Sequence, residues 1–293
     1  MLKIGSHVSF KSPNYLVDSI KESIANGANT MMIYLGPPQN SNRVSIDKYQ
    51  LDEYFAKYQD IIPPQDIVVH APYIVNLANL SKSEWSKQFL IDDIARMNKI
   101  GAKYLVLHPG AYLKQDINVS LEHLAKNIKE IINKTNDVEI ILETMAGKGT
   151  EIGTSLNQLQ TLISLINEDR VGICLDTCHM WDSGIDLKND FENNSGQELL
   201  QKLEEFYLLS KVKVIHLNDS KNDLSSHKDR HENIGQGFIG QKALINFANH
   251  PSFDKGSKTI NLGGTTTITD SNGALKDFPS FTKTINKVTF SHT

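Results

Sequence analysis

Short, mostly apolar runs alternate along the chain with longer segments in which apolar residues recur at i, i+3, i+4 and i+7. The runs cover 3–9, 30–36, 66–73, 103–110, 138–145, 171–179 and 213–220. Being apolar nearly throughout, they predict strands covered on both faces. The intervening segments, such as 15–28, 84–102 and 157–169, predict amphipathic helices. Alternation of this kind predicts βα units on a parallel sheet. Five middle strands end in a histidine or an acid: His70, His108, Glu143, Asp176 and His216, spaced 38, 35, 33 and 40 residues apart. A period near 35 residues fits a closed (β/α)8 TIM barrel. The competing arrangement, an open doubly wound sheet, lacks support because no glycine-rich phosphate turn follows the first strand.

Composition narrows the class. No apolar run reaches the roughly 18 residues that a spanning helix needs. The start, "MLKIGSHVSF", has no secretory apolar segment, so a cytoplasmic, monomeric protein is expected. Cys174 and Cys178 lie four apart in one predicted strand, ill placed to bridge, and read as reduced packing residues. The net charge of −4 argues against a broad basic sheath for nucleic acid. It does not exclude a local phosphate site, because three divalent cations would reverse that balance at one place.

In a barrel the C-terminal strand ends converge on one mouth. His7 and His179 belong to the same rim, and Asp229 and His231 lie two apart in "HKDRHENIGQG" after strand seven. Singly, each would read as a hydrogen-bonded core residue or a surface charge. Asp219 and Asp223 read as turn formers and His227 as solvated; His123, His250 and His292 receive no role. Taken together, the rim residues resist that reading, because burying so many carboxylates and imidazoles without a cation is costly. Imidazole and carboxylate donors without thiolates suit Zn²⁺ or Mn²⁺. Eight ligands are too many for one tetrahedral ion and fit two or three, a cluster suited to phosphate esters.

The segments "VVHAPY", "VLHPG", "ILETMAGKGTEIG", "ICLDTCHMWDSGIDL", "IHLNDS" and "KDRHENIGQGFIG" resemble signatures of endonuclease IV, the metal-dependent apurinic/apyrimidinic endonucleases. The resemblance runs from "IGSHVS" to about Asp254. It implies a DNA-repair enzyme with three zinc ions on a (β/α)8 barrel. That enzyme cuts duplex DNA 5′ to an abasic site, leaving a 3′-hydroxyl and a 5′-deoxyribose phosphate, and it clears blocked 3′ ends. By resemblance, His70 and His108 hold a first ion, which Glu143 bridges to a second held by Asp176 and His216. His179, Asp229 and His231 resemble ligands of the third. Glu143 is also implied to orient the attacking hydroxide. Tyr73 resembles a residue that enters the DNA at the lesion, where an aromatic wedge helps unstack a base step. Gln39 and Asn40, in "LGPPQNSNR", fall in a DNA-contact loop of the family.

One part of the pattern departs. The resemblance calls for a ninth ligand, a glutamate ending strand eight, but "PSFDKGSKTINLGGTTTITDSNG" follows instead, with Asn261 near the glutamate position. No acid occurs between Asp254 and Asp270. The expected organisation is therefore a barrel domain over 1–254 and an atypical tail over 255–293, out of frame with the ancestral gene or locally replaced, natural divergence being the alternative. Gly263, Gly264 and "TTTIT" read as a turn and an edge strand, which predicts a poorly closed seam; with the missing carboxylate ligand weakening the second ion, reduced or absent activity is expected. Two other functions fit a barrel of this kind. A metal-dependent sugar isomerase or epimerase would hold one or two ions around a small pocket. A non-catalytic abasic-site-binding protein would bind without cutting.

Overall fold

The computed structural model describes residues 3–253 in full and the backbone of 259–262. Each apolar run contains a strand: β1 (Lys3–Ser6), β2 (Met31–Ile33), β3 (Ile67–His70), β4 (Tyr104–Leu107), β5 (Glu139–Glu143), β6 (Val171–Asp176) and β7 (Val212–Leu217). Strands β2 to β7 pair in chain order, all parallel. A two-residue ribbon, β8 (Asp219–Ser220) with β9 (His231–Glu232), stands apart from this sheet. The predicted open seam is corrected: β10 (Thr259–Leu262) lies parallel between β7 and β1. A bridge between His7 and Met32 then joins β1 to β2. The strands so form a ring, the TIM barrel expected from the βα period. Gly263, Gly264 and "TTTIT" lie outside the described residues.

The helices are α1 (Leu16–Ala25), α2 (Leu51–Lys57), α3 (Ser83–Ile100), α4 (Ile117–Lys134), α5 (Leu156–Ile166), α6 (Thr177–Ser183), α7 (Leu187–Asn193), α8 (Gln197–Glu205) and α9 (Gln241–Ala248). Helix α4 shows why they form. Asp116 caps it by accepting the N–H groups of Asn118 and Val119 at 2.8 and 3.1 Å. Leu121, Leu124, Ile128 and Ile131 then bury one face. Among the described residues no helix is long and apolar enough to cross a membrane.

The core has two parts. The larger lies among the helices and the outward strand faces. The smaller consists of Met32, Val68, Val106, Ile141, Cys174 and Val214, one residue from each of β2 to β7. Strand side chains alternate faces, so the residue two further on returns to the same side. Two places beyond Val68, Val106, Ile141, Cys174 and Val214 stand His70, His108, Glu143, Asp176 and His216. The barrel's inner apolar layer thus sets the direction of all five polar strand ends. Cys174 packs in this layer, and both cysteines are free and buried.

Two predicted strand boundaries are corrected. The run 171–179 is a strand only to Asp176, where α6 begins. Asp176 caps that helix by accepting the N–H of His179 at 2.9 Å. The apolar character of Cys178 and Met180 conceals the switch from strand to helix. The run 213–220 likewise breaks at Asn218, between β7 and β8.

Candidate metal centre

Glu143, at the end of β5 and 1% exposed, is the hub of the mouth. Its Oε2 lies 3.1 Å from His70 Nε2 and 3.2 Å from His108 Nε2. Its Oε1 lies 2.8 Å from His216 Nδ1 and 3.5 Å from His179 Nδ1. Asp176 Oδ2 stands 3.7 Å from both His216 Nδ1 and His231 Nε2. Asp229 Oδ1 lies 3.0 Å from His179 Nε2 and 3.3 Å from His231 Nε2. All eight residues singled out by the sequence therefore meet in one continuous cluster. Within it, His70, Glu143 and His216 place donor atoms within 4.8 Å of one another, as do His179, Asp229 and His231, and Glu143, Asp176 and His179. His7 directly follows β1 on the wall of the same cavity, edge-on to Tyr34 with ring centroids 4.9 Å apart.

The surroundings set the imidazoles for coordination. His70 Nδ1 donates to the Ala71 carbonyl at 2.7 Å, and His179 Nδ1 donates to the Thr144 carbonyl at 2.8 Å. Each bond places a proton on Nδ1 and leaves Nε2 as the donor atom facing the carboxylates, an arrangement common around metal-ligating histidines. Asn218 Nδ2 donates to Asp176 Oδ2 at 2.6 Å, and the Thr144 hydroxyl accepts the Asp176 N–H at 2.8 Å. Asp176 is thus held from the ends of both neighbouring strands.

Electrostatics point the same way. Burial alone would raise the Glu143 carboxyl, but His216 and His108 reverse this and hold it well below the usual range. Burial would also raise Asp229, and His179 and His231 hold it low. Burial works against charge on His179 and His216, yet the carboxylates beside them raise both imidazoles. His70 is lowered, because burial outweighs Glu143. Two buried carboxylates and the half-buried Asp229 gathered in one place favour positive charge, and the donors are nitrogen and oxygen apart from the sulfur of Cys178, which groups with Asp176 and His231. The residues present fit divalent cations.

The cavity over this cluster measures about 670 Å³, and Lys148, Lys221 and Arg230 stand among its lining residues. A chain of net charge −4 thus carries basic groups at this mouth. Tyr73 is 58% exposed, with its ring stacked 5.9 Å from His108 and its N–H bonded to the Pro38 carbonyl at 2.9 Å. That bond ties the Tyr73 loop to the one carrying Gln39 and Asn40. Gln39 is exposed, whereas Asn40 turns its side-chain oxygen to the Asn42 N–H at 2.9 Å. Arg43 anchors the same loop by a bidentate pair with Asp93 at 2.9 and 2.8 Å. Asn261 pairs in register with His216 on one side and Gly5 on the other.

Several residues do more than the sequence suggests. Asp219, predicted as a turn former, is completely buried and gathers five backbone N–H groups, from Ser220, Gly235, Gly237, Ile239 and Gly240, at 2.9 to 3.3 Å. Gly237 must be glycine there, because a Cβ would meet the Ser220 carbonyl oxygen at 2.3 Å. His227, predicted as solvated, does stand exposed but donates from Nδ1 to the Ala146 carbonyl at 3.0 Å. Lys148, unremarked in the sequence, pairs with Asp229 and Glu151. The "GQGFIG" glycines were the one available sign of the Asp219 hub, since repeated glycines mark close backbone approach. Asp219→Ala is expected to lower unfolding stability by about 3 kcal/mol, because several buried N–H groups lose their acceptor. Urea denaturation measures this, together with faster amide exchange over residues 233–240; an unchanged midpoint contradicts the hub.

Residues 20–264 match the xylose isomerase-like TIM barrel family. Fold and site together therefore define a barrel of that class, with a mouth whose clustered side chains could hold cations. A relative named probable endonuclease 4 from Mycoplasmopsis synoviae (strain 53) is 55% identical over 254 residues, covering 87% of this chain and 90% of its own length. Another of that name, from Mycoplasmopsis agalactiae, is 50% identical over 254 residues, covering 87% and 89%. The solved endonuclease IV from Thermus thermophilus superposes with a TM-score of 0.81 at 24% identity, covering 96% of this chain and 99% of that one. A D-tagatose 3-epimerase-like protein reaches 0.64 at 19% identity over 89% of each chain, a likeness of fold alone. The chain belongs to the endonuclease IV family.

Proposed function

We propose that this protein is a DNA-repair endonuclease that hydrolyses the phosphodiester 5′ to abasic sites in duplex DNA, leaving a 3′-hydroxyl and a 5′-deoxyribose phosphate, and that it trims blocked 3′ ends. The observation that carries the reading is the convergence of His70, His108, Glu143, Asp176, His179, His216, Asp229 and His231 around one carboxylate hub in a mouth edged by basic residues. His70 and His108 would hold a first zinc ion with Glu143, Asp176 and His216 a second with Glu143, and His179, Asp229 and His231 a third. Manganese is a chemically acceptable occupant of part of the site. When bound, such ions neutralise the phosphate, provide hydroxide near neutral pH and stabilise the leaving oxygen.

The chain's own residues supply the rest. Glu143 fixes the spacing of four imidazoles and carries the charge that positions the attacking water. The tautomers of His70 and His179 are set by the carbonyls of Ala71 and Thr144. Lys148, Lys221 and Arg230 attract and seat the flanking phosphates. Tyr73 presents an exposed ring beside His108, where it can fill the gap left by an extruded nucleotide. Tyr73→Ala is accordingly expected to raise KM for abasic DNA roughly 10-fold with a smaller change in kcat, the worth of one base–aromatic stack. Steady-state nicking kinetics read this directly, and an unchanged KM removes Tyr73 from the interface.

The proposed location is the cytoplasm. The organisation is proposed as a barrel domain over 1–254 with an atypical tail over 255–293, of which Thr259–Leu262 still contribute β10 to the ring and lie within the family match, which ends at residue 264. The decisive experiment is nicking of a duplex oligonucleotide with one synthetic abasic site, before and after chelation and after return of Zn²⁺. Cleavage that chelation abolishes and zinc restores supports the proposal. Binding without cutting turns the reading to a lesion-binding protein. Failure to bind, with one or two tightly held ions, turns it to a sugar isomerase.

A further inference from the structure

Asp182 lies on α6 three residues beyond His179, so the two share a face of the helix. Its side chain is completely buried. Oδ1 accepts the Ser220 hydroxyl at 2.7 Å, and Oδ2 accepts the backbone N–H of Asp229 at 2.7 Å. The carbonyl of Asp182 also accepts the N–H of His227 at 3.0 Å. Asp229 is therefore gripped twice from one helix face: His179 Nε2 meets its side-chain oxygen at 3.0 Å, and Asp182 holds its main chain.

The backbone at this point needs such a hold. Ser225, His227 and Asp229 have φ of 62°, 55° and 52°, in the left-handed region that residues with a Cβ seldom occupy. Such conformations persist where the surroundings over-determine them. Asp182 meets Asp229 at its main-chain N–H, while the carboxylate of Asp229 faces His179 and His231 through Oδ1 and Lys148 through Oδ2, so Asp182 touches none of the ligand atoms itself.

We infer that Asp182 is a positioning residue for the cation site made by His179, Asp229 and His231. It fixes the main chain of Asp229 so that Oδ1 lies between the two imidazoles, and in doing so it sets how tightly that one site holds its ion. The inference rests on the reading of those three residues as cation ligands. A pin of merely structural importance would lower stability without singling out one ion.

The test uses the full chain, loaded with Zn²⁺, desalted and counted by elemental analysis, then titrated with a chelator. The wild type is expected to hold three ions. Asp182→Asn keeps the volume of the side chain but replaces one acceptor oxygen by an amide donor. It is expected to leave the other two ions held as in the wild type and to bind the third 10- to 100-fold more weakly. In a His179→Asn background, Asp182→Asn should add nothing, because both changes act on one site. Wild-type affinity for the third ion, equal weakening of all three, or full additivity with His179→Asn overturns the inference. If Asp182→Asn yields no folded protein, Ser220→Ala decides: freeing one carboxylate oxygen should weaken the third ion several-fold, and unchanged affinity overturns the inference. A wild-type chain that takes up no third ion overturns the ligand reading itself, an outcome distinct from a third ion indifferent to Asp182.

Discussion

Replacing Glu143 by glutamine is expected to lower abasic-site cleavage on the order of 10³-fold or more while the barrel remains folded. The two side chains share shape and volume, so the inner layer beneath, from Ile141 outward, is undisturbed. The chemistry differs. Glu143 faces nitrogen atoms of His70, His108, His216 and His179 with two anionic oxygens. Glutamine offers those imidazoles one neutral acceptor and one N–H₂, and the donor now meets nitrogens whose lone pairs are wanted for cations. The carboxylate that two ions would share disappears with its charge. Single-turnover nicking and zinc content should fall together, while thermal unfolding stays close to wild type. Turnover that survives the substitution would show that the hub belongs to the fold and not to the reaction.

The arrangement behind that prediction is readable in the sequence for a geometric reason. In a parallel barrel, chemistry at the mouth must stand two residues past the apolar inner layer, so His70, His108, Glu143, Asp176 and His216 recur with the βα period. His179 is also legible, although its element is not: it lies in the first turn of α6, and only the capping bond from its N–H to Asp176 shows why the spacing of three works. Asp219 and Asp182 are hidden because each becomes buried through chain far away. Asp219 sits between two other polar residues and reads as a turn. Its partners at Gly235 to Gly240 arrive 16 to 21 residues later. Asp182 resembles a solvated helix residue until the Asp229 N–H, 47 positions on, closes over it. Periodicity reports which face an element buries. It carries no signal for a loop that folds back over a polar face.

The strand β10 supplies the second large effect, this time a gain. Asn261→Glu is expected to raise the affinity of the second ion at least 10-fold and to increase nicking at limiting zinc. The register sets Asn261 level with His216, the imidazole whose Nδ1 stands 2.8 Å from Glu143 and 3.7 Å from Asp176. The resemblance to endonuclease IV calls for a glutamate near this position, where the sequence has asparagine. A carboxylate adds both a negative charge and a stronger oxygen donor, and ligand charge is a principal control on affinity for hard and borderline cations. The effect should be confined to one ion: competition with a chromophoric chelator should show a single zinc held more tightly, the other two unchanged. The same variant examines the history of the tail. If 255–293 replaced an ancestral strand while preserving the backbone position of β10, this one substitution should be enough to tighten the second ion. An unaltered zinc affinity would mean that residue 261 is not the equivalent position, and that the replacement displaced the strand end as well as its chemistry.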